Sequence, residues 1–316
     1  MVVCDSGSSL ALDGGRPTQV GRYGYYNELI VTNGGQVYVR AGSSGLVVGQ
    51  YGYNSRLLVS GRGSRLNCAG RLMLSSDSIR TGNRIDILDG GQAEMVTLEF
   101  TGANRCQVTV AGTGSLFRAV EARVGTSSAA ATMSVSDGAR AETELLTLGL
   151  GTANTSQILI DNATFVSTNA SGAGRFEIRR GSVSLDNGST LTADTLCITN
   201  TAATICRLTA TIGSRSAGVV LTQDDPESLD LEVPGGVVLV FAAEPVTELN
   251  PLRGLQVPGD QRTLLARLIS EGNITCDTTA LSRVTRKRFG VHYDARSDTS
   301  FIGVAKKVFG TYLLLR

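Results

Sequence analysis

Tryptophan is absent from this 316-residue chain, proline occurs six times, and histidine occurs once. With aromatic residues at only 5%, a core built on large rings is excluded, and the interior has to be filled by Val, Leu, Ile and Ala. The scarcity of proline against 38 glycines points to many tight turns joining strands that keep every backbone donor. A histidine-based triad or metal site would have to use His292. No Gly-x-Ser-x-Gly elbow accompanies it, and a lone histidine between Val291 and Tyr293 reads as a structural strand residue.

The six cysteines (Cys4, Cys68, Cys106, Cys197, Cys206, Cys276) form no Cys-x-x-Cys pair and no framework spacing, so they read as small buried hydrophobes. Residues 237–243 are the longest apolar run, far too short to cross a membrane. Met1-Val2-Val3-Cys4-Asp5 lacks the basic start and apolar core of an export signal. A net charge of +1 gives no global field for nucleic acid or an anionic membrane, so no nucleic-acid partner is expected.

What is present is a repeat. Val20-Gly21-Arg22-Tyr23-Gly24-Tyr25 returns as Val48-Gly49-Gln50-Tyr51-Gly52-Tyr53, a shift of 48 − 20 = 28. The match runs on through Leu29 and Leu57, Val31 and Val59, Gly35 and Gly63. A further shift of 28 lays Asn27-Glu28-Leu29-Ile30-Val31 over Asn83-Arg84-Ile85-Asp86-Ile87. The same shift backward puts Val31 on Val3 and Asn33 on Asp5, so the chain begins inside a repeat, as expected of a longer solenoid or a trimmed one.

The phase survives as the spacing tightens. Strand starts fall at Leu29, Leu57, Ile85, Val108, Met133, Ile158, Val183 and Leu208, with successive differences of 28, 28, 23, 25, 25, 25 and 25. An apolar residue follows two positions after most starts, the alternation of a strand with one buried face. Four positions after each start stands Asn33, Gly61, Asp89, Gly112, Asp137, Asn162 or Asn187. These are the residue types that adopt left-handed turns at low cost. Leu208 departs from the rule, with Ile212 at its turn position. Alternation rules out a helical solenoid, and the repeat is too long for a row of hairpins. The expected fold is all-β: a right-handed parallel β-helix of 25–28 residues per coil, each coil covered by its neighbours and the ends needing caps.

The pattern Val-Gly-x-Tyr-Gly-Tyr…Leu-x-Val-x-x-Gly-Gly resembles the autotransporter passenger-like and surface-anchored β-helix repeats of large exported bacterial proteins. The resemblance spans about residues 3–216 and implies an extracellular or cell-surface stalk, adhesin or passenger domain. A complete member is expected to carry a following outer-membrane barrel or a C-terminal sorting helix, and neither is evident within these 316 residues.

The solenoid is expected over residues 1–246, with regular coils to about 216, and a C-terminal cap or small β-rich unit over 247–316. In that last part Thr263–Ile269 is ambiguous between helix and strand, while Phe289–Tyr293, Phe301–Val304 and Thr311–Leu315 read as strands. Arg283, Arg286, Lys287 and Arg288 form a basic cluster, read as a solvated face.

Candidate chemistry is sparse. Asp161 and Asp186 share one phase in adjacent coils, which puts them about 5 Å apart at the backbone, near the range used by retaining glycosidases. Each precedes a turn Asn, however, so corner capping is the preferred reading and no catalytic residue is assigned. Asp224, Asp225 and Glu227 could gather a hard cation, but Pro226 and Pro234 mark a solvated acidic loop. Tyr23 over Tyr51 and Tyr25 over Tyr53 predict two short aromatic ladders, which could also stack against a sugar ring or a partner. Sequons at Asn154, Asn162, Asn169, Asn187 and Asn273 are attributed to composition.

No cofactor is expected. The favoured function is a non-enzymatic surface or secreted solenoid meeting a glycan or protein. The alternatives are a tailspike-like polysaccharide-processing β-helix and a filament subunit that forms homo-oligomers through its coil ends.

Overall fold

A strand with only one apolar face must bury it against something, and a repeat lets each coil supply the cover for the next. The computed structural model describes residues 1–13, 15–40, 45–74, 81–100, 106–126, 130–151, 156–199, 206–213, 218–242, 252–286 and 288–305. It is an all-β solenoid built from stacked parallel sheets.

The first sheet starts at Val2–Cys4, continues through Glu28–Thr32, Arg56–Ser60 and Arg84–Leu88, and ends at Ile274–Asp277. It holds eleven strands, each parallel to the next. At about 4.8 Å per step, they extend roughly 50 Å along the axis.

The expected register is the observed one. Leu29 pairs with Leu57, Leu57 with Ile85, Ile85 with Val108, Val108 with Met133, Met133 with Ile158, Ile158 with Val183, and Val183 with Leu208. Val3 pairs with Val31, as the backward shift implies. These residues and their i+2 partners form the aliphatic spine of one continuous core. Beyond Leu208 the ladder continues to Val237 and then Ile274. The strand carrying Leu208 runs on through Ile212, which is fully buried, so no turn falls at that position.

The predicted corners all lie in the left-handed region: Asn33, Gly61, Asp89, Gly112, Asp137, Asn162 and Asn187 have φ between 49° and 90°. The glycine after the corner is sometimes obligatory for another reason. A Cβ on Gly35 would lie 2.4 Å from the Val3 carbonyl oxygen, and one on Gly91 equally close to that of Val59. Buried serines fasten neighbouring corners. Ser64 Oγ accepts from Gly34 N–H (3.0 Å) and donates to the Ser60 carbonyl (2.7 Å). Ser115 does the same for Gly90 and Ala111.

The second sheet follows the corner and bends midway, visible as a register shift between Cys68 and Arg71 in the strand Arg65–Leu74. A third, two-stranded sheet pairs Tyr23–Tyr25 in parallel with Tyr51–Tyr53. Its coils are held by buried Asn83, whose Oδ1 accepts from Ser55 N–H (2.8 Å) while Nδ2 donates to the Gly52 carbonyl (3.1 Å).

The C-terminal residues break the pattern while remaining attached to it. Leu252–Pro258 extends the second sheet in parallel with Gly218–Leu221, then pairs antiparallel with Thr299–Val304, which pairs antiparallel with Phe289–Asp294. The ambiguous segment is a helix, Arg262–Ser270, and its Leu265 and Leu268 join the solenoid core. The anticipated strand at Thr311–Leu315 lies outside the described residues, as do Lys287 and Asn154. None of the six cysteines forms a disulfide, and Cys68, Cys106, Cys197 and Cys206 are buried.

Candidate functional site

Parallel stacking turns a repeated residue into a ladder, so the most distinctive surface is where the repeat carries tyrosine. Tyr23 stacks on Tyr51 with ring centroids 5.4 Å apart and planes 16° from parallel, and Tyr25 stacks on Tyr53 at 5.0 Å and 12°. Strand alternation puts both tyrosines of each coil on the outer face, while Gly52 points inward and is buried. The rings nearer the N-terminal end are the more open: Tyr23 is 65% and Tyr25 66% exposed, against 37% for Tyr51. The Arg22 guanidinium sits 5.4 Å from the Tyr23 ring centre, within cation–π range. Tyr26 adjoins Tyr25, with ring centroids 6.5 Å apart.

A hollow of about 400 Å³ opens beside Tyr26 at the N-terminal end of the core, walled by Leu12, Val20, Gln19, Asn27 and Glu28 among others. A second groove of about 440 Å³ follows the bend of the second sheet. It runs between the row Glu94, Arg118, Glu142 and the exposed Val96 and Val120. Its charges are mutually engaged: Arg118 reaches Glu142 at 2.7 Å and Glu94 at 3.3 Å, and Arg140 reaches Glu142. Burial pushes the Glu142 carboxyl up, but the hydrogen bonds from Arg140 and Arg118 outweigh it and hold the group below the ordinary carboxylate range.

Asp161 and Asp186 are direct partners across adjacent parallel strands, as their common phase requires. Asp161 accepts a hydrogen bond from the Asn187 side chain, so that carboxylate is tied into the corner. The acidic loop has a local architecture. Asp225 caps the short 3₁₀ turn Pro226–Ser228 by accepting from Glu227 N–H (2.9 Å), and the Asp224 carbonyl accepts from Gln261 (2.7 Å). Among the described residues, no group of three or more His, Cys, Asp or Glu side chains is arranged to hold a metal ion. Among the same residues, no helix is long and apolar enough to cross a membrane.

His292 lies on the strand Phe289–Asp294, its Nε2 3.1 Å from the Arg288 carbonyl and its ring 5.2 Å from that of Phe301. Burial pushes its pKa down.

Two clusters were not foreshadowed by the repeat. Cys197, between Glu177 and Asp230 in the ladder, donates to Asp230 (3.2 Å) and receives Arg175 (3.0 Å). Burial and the Asp230 hydrogen bond push its thiol up to about 11, which leaves it protonated and a poor nucleophile. Asp194, buried, accepts from Asn169 N–H (3.0 Å) and Gly174 N–H (2.8 Å), and so anchors the loop between them. Neither stands out in the sequence, since the ladder that sets Cys197 between Glu177 and Asp230, and the loop that closes on Asp194, are visible only in the fold.

Comparison with protein-family models, with curated proteins and with solved structures finds no match to this chain.

Proposed function

We propose that the chain is a non-enzymatic solenoid of an exported bacterial surface protein, of the autotransporter passenger type, serving as a stalk, adhesin or assembly scaffold. The observation that carries this reading is the unbroken parallel register of the first sheet over eleven strands. Such a stack gives a stiff rod whose sides are available for contact. Its outward charges face one another across coils, as in Arg56 to Asp86 at 2.6 Å, so its flanks spend their polarity on the rod itself. The exposed tyrosines provide the contact surface, for a glycan or a protein.

The adjacency of Asp161 and Asp186 is the observation behind a second reading, polysaccharide processing. A third is assembly through coil ends, because the outermost strands of any such stack carry unpaired backbone groups. The test incubates the purified chain with defined bacterial polysaccharides and follows release of reducing ends. The scaffold reading expects none above background. Release that disappears in Asp161→Asn/Asp186→Asn would replace it with the enzymatic one. Sedimentation at micromolar concentration addresses the filament, which requires species that grow with concentration.

A further inference from the structure

Four corners of the left-handed edge carry an Asn or Asp followed by glycine: Asn33-Gly34, Asp89-Gly90, Asp137-Gly138 and Asn187-Gly188. The two asparagine corners share one backbone, with φ 52° at the asparagine and 85° at the glycine, and both asparagines are exposed. What differs is the next coil. Gly34 N–H donates to Ser64 Oγ and Gly90 N–H to Ser115 Oγ, both at 3.0 Å, while Gly138 N–H donates to the Asn162 carbonyl at 2.7 Å. The following coil thus holds the glycine through a serine hydroxyl or through its own corner carbonyl.

Gly188 has neither. Thr190 pairs with Gly218 as Gln36 pairs with Arg65, so the place of Ser64 falls in the sequence to Ala217, which has no hydroxyl. The place of Asn162 falls to Ile212, which is still in its strand and whose carbonyl accepts from Ala242 N–H at 2.9 Å. Among the described residues, Gly188 N–H has no partner.

We propose that Asn187 is a self-modifying site: the Gly188 nitrogen attacks Asn187 Cγ, and the product unfastens this corner from Asp161. The N–Cγ bond forms as the Cγ–Nδ2 bond breaks, and the side-chain nitrogen leaves as ammonia, taking the Gly188 proton. Water then opens the five-membered imide. Breaking the new bond leaves aspartate, and breaking the main-chain bond leaves isoaspartate. The Gly188 nitrogen can turn toward Cγ without giving up a hydrogen bond, whereas at Asn33 the same turn costs the bond to Ser64.

The change matters because of what Asn187 holds. Its Nδ2 donates to Asp161, which lies beside Asp186 across the strand pair. A carboxylate at this position has no proton to donate and adds a third negative charge, and like charges so placed repel. The corner aspartates that the fold does carry are supplied with donors, Asp89 by the Ser60 hydroxyl and Asp137 by that of Ser136.

The test incubates the full chain in warm neutral buffer and follows both asparagines by peptide mapping, with isoaspartate detected by enzymatic methylation. Asn187 is expected to convert at least about fivefold faster than Asn33, the factor that one lost hydrogen bond confers, and its product to include isoaspartate. In denaturant the two rates should converge, because both sites are Asn-Gly in an open chain. Ser64→Ala should speed Asn33 toward the rate of Asn187. Asn187→Asp, one of the two products, should exchange the amide hydrogens between Leu185 and Ser189 about threefold or more faster than the parent.

The proposal is overturned if Asn33 keeps pace with Asn187 in the folded chain, if their difference persists in denaturant, or if the product contains no isoaspartate. An unchanged Asn33 rate in Ser64→Ala overturns the hydrogen bond as the cause, and parent-like exchange in Asn187→Asp overturns the unfastening. A Ser64→Ala chain that loosens throughout would speed both sites together, and the parent's folded-against-denatured comparison then decides alone.

Discussion

The regular coils and the C-terminal end bury the same kind of core by opposite means. In the stack, every strand of the first sheet is parallel to its neighbours and repeats their register, so Leu57 lies over Leu29 and under Ile85. At the C-terminal end, Thr299–Val304 runs antiparallel between Leu252–Pro258 and Phe289–Asp294, and a helix contributes Leu265 and Leu268 to the interior. The difference teaches that a repeat cannot finish itself. Each coil is satisfied by the next, and the last must be covered by a different shape.

The comparison is most severely strained by opening a cavity in each region. Phe165 and Phe176 meet edge to face at 5.4 Å, both fully buried in the stack. Phe176→Ala is expected to cost about 3–5 kcal/mol, with both halves of the rod losing protection in hydrogen exchange. Leu265→Ala, by contrast, should loosen chiefly the C-terminal elements, because an end can open while interior coils stay paired. Equal loss of protection throughout in both variants would erase the distinction.

A smaller effect is expected where one side chain links coils. Asn83→Ala leaves Ser55 N–H and the Gly52 carbonyl without their partner in a buried place, and should cost about 2–3 kcal/mol in the denaturant midpoint. Smaller again is the corner. Asn187→Ala puts a residue with a Cβ and no local hydrogen bond at φ 52°, at a cost of about 1 kcal/mol.

The smallest expected effect is confined to the end. The folded-state pKa of His292 is depressed by burial below its ordinary 6.5, so the folded chain binds this proton less readily than the unfolded one. Its contribution to stability is complete above about pH 6.5 and is lost as pH falls from there toward the lower folded value. His292→Phe should remove this slope from the C-terminal elements while leaving the exchange of the early coils unchanged.

Much of the stack was legible because its signals are one-dimensional. Period-two alternation at Leu29 and Val31 and the left-handed residue at Asn33 need no knowledge of what lies above or below. The corner serines are different. Ser64 reads as an ordinary turn residue until its hydroxyl is seen bridging Gly34 of the preceding coil and its own Ser60. The segment Arg262–Ser270 was ambiguous because Leu264, Leu265, Leu268 and Ile269 fit a helical stripe in a run short enough for a strand, and only packing decides. The tyrosine ladders followed from the 28-residue shift, whereas the left-handed backbone at Tyr26 did not, since it becomes apparent only when φ is known.

The left-handed corners have a consequence for how such a rod changes length. Because Asn33, Gly61, Asp89 and their successors share one edge, removing or duplicating one whole circuit returns the chain to the same place with the same neighbours. The protein can therefore grow or shrink in quanta of about 4.8 Å with each new junction already compatible, much as a ruler is cut only at its marks. A deletion of one residue within a strand would instead turn its hydrophobic side chains out of the interior, whereas circuits of 23 to 28 residues keep one register because the turns absorb the difference.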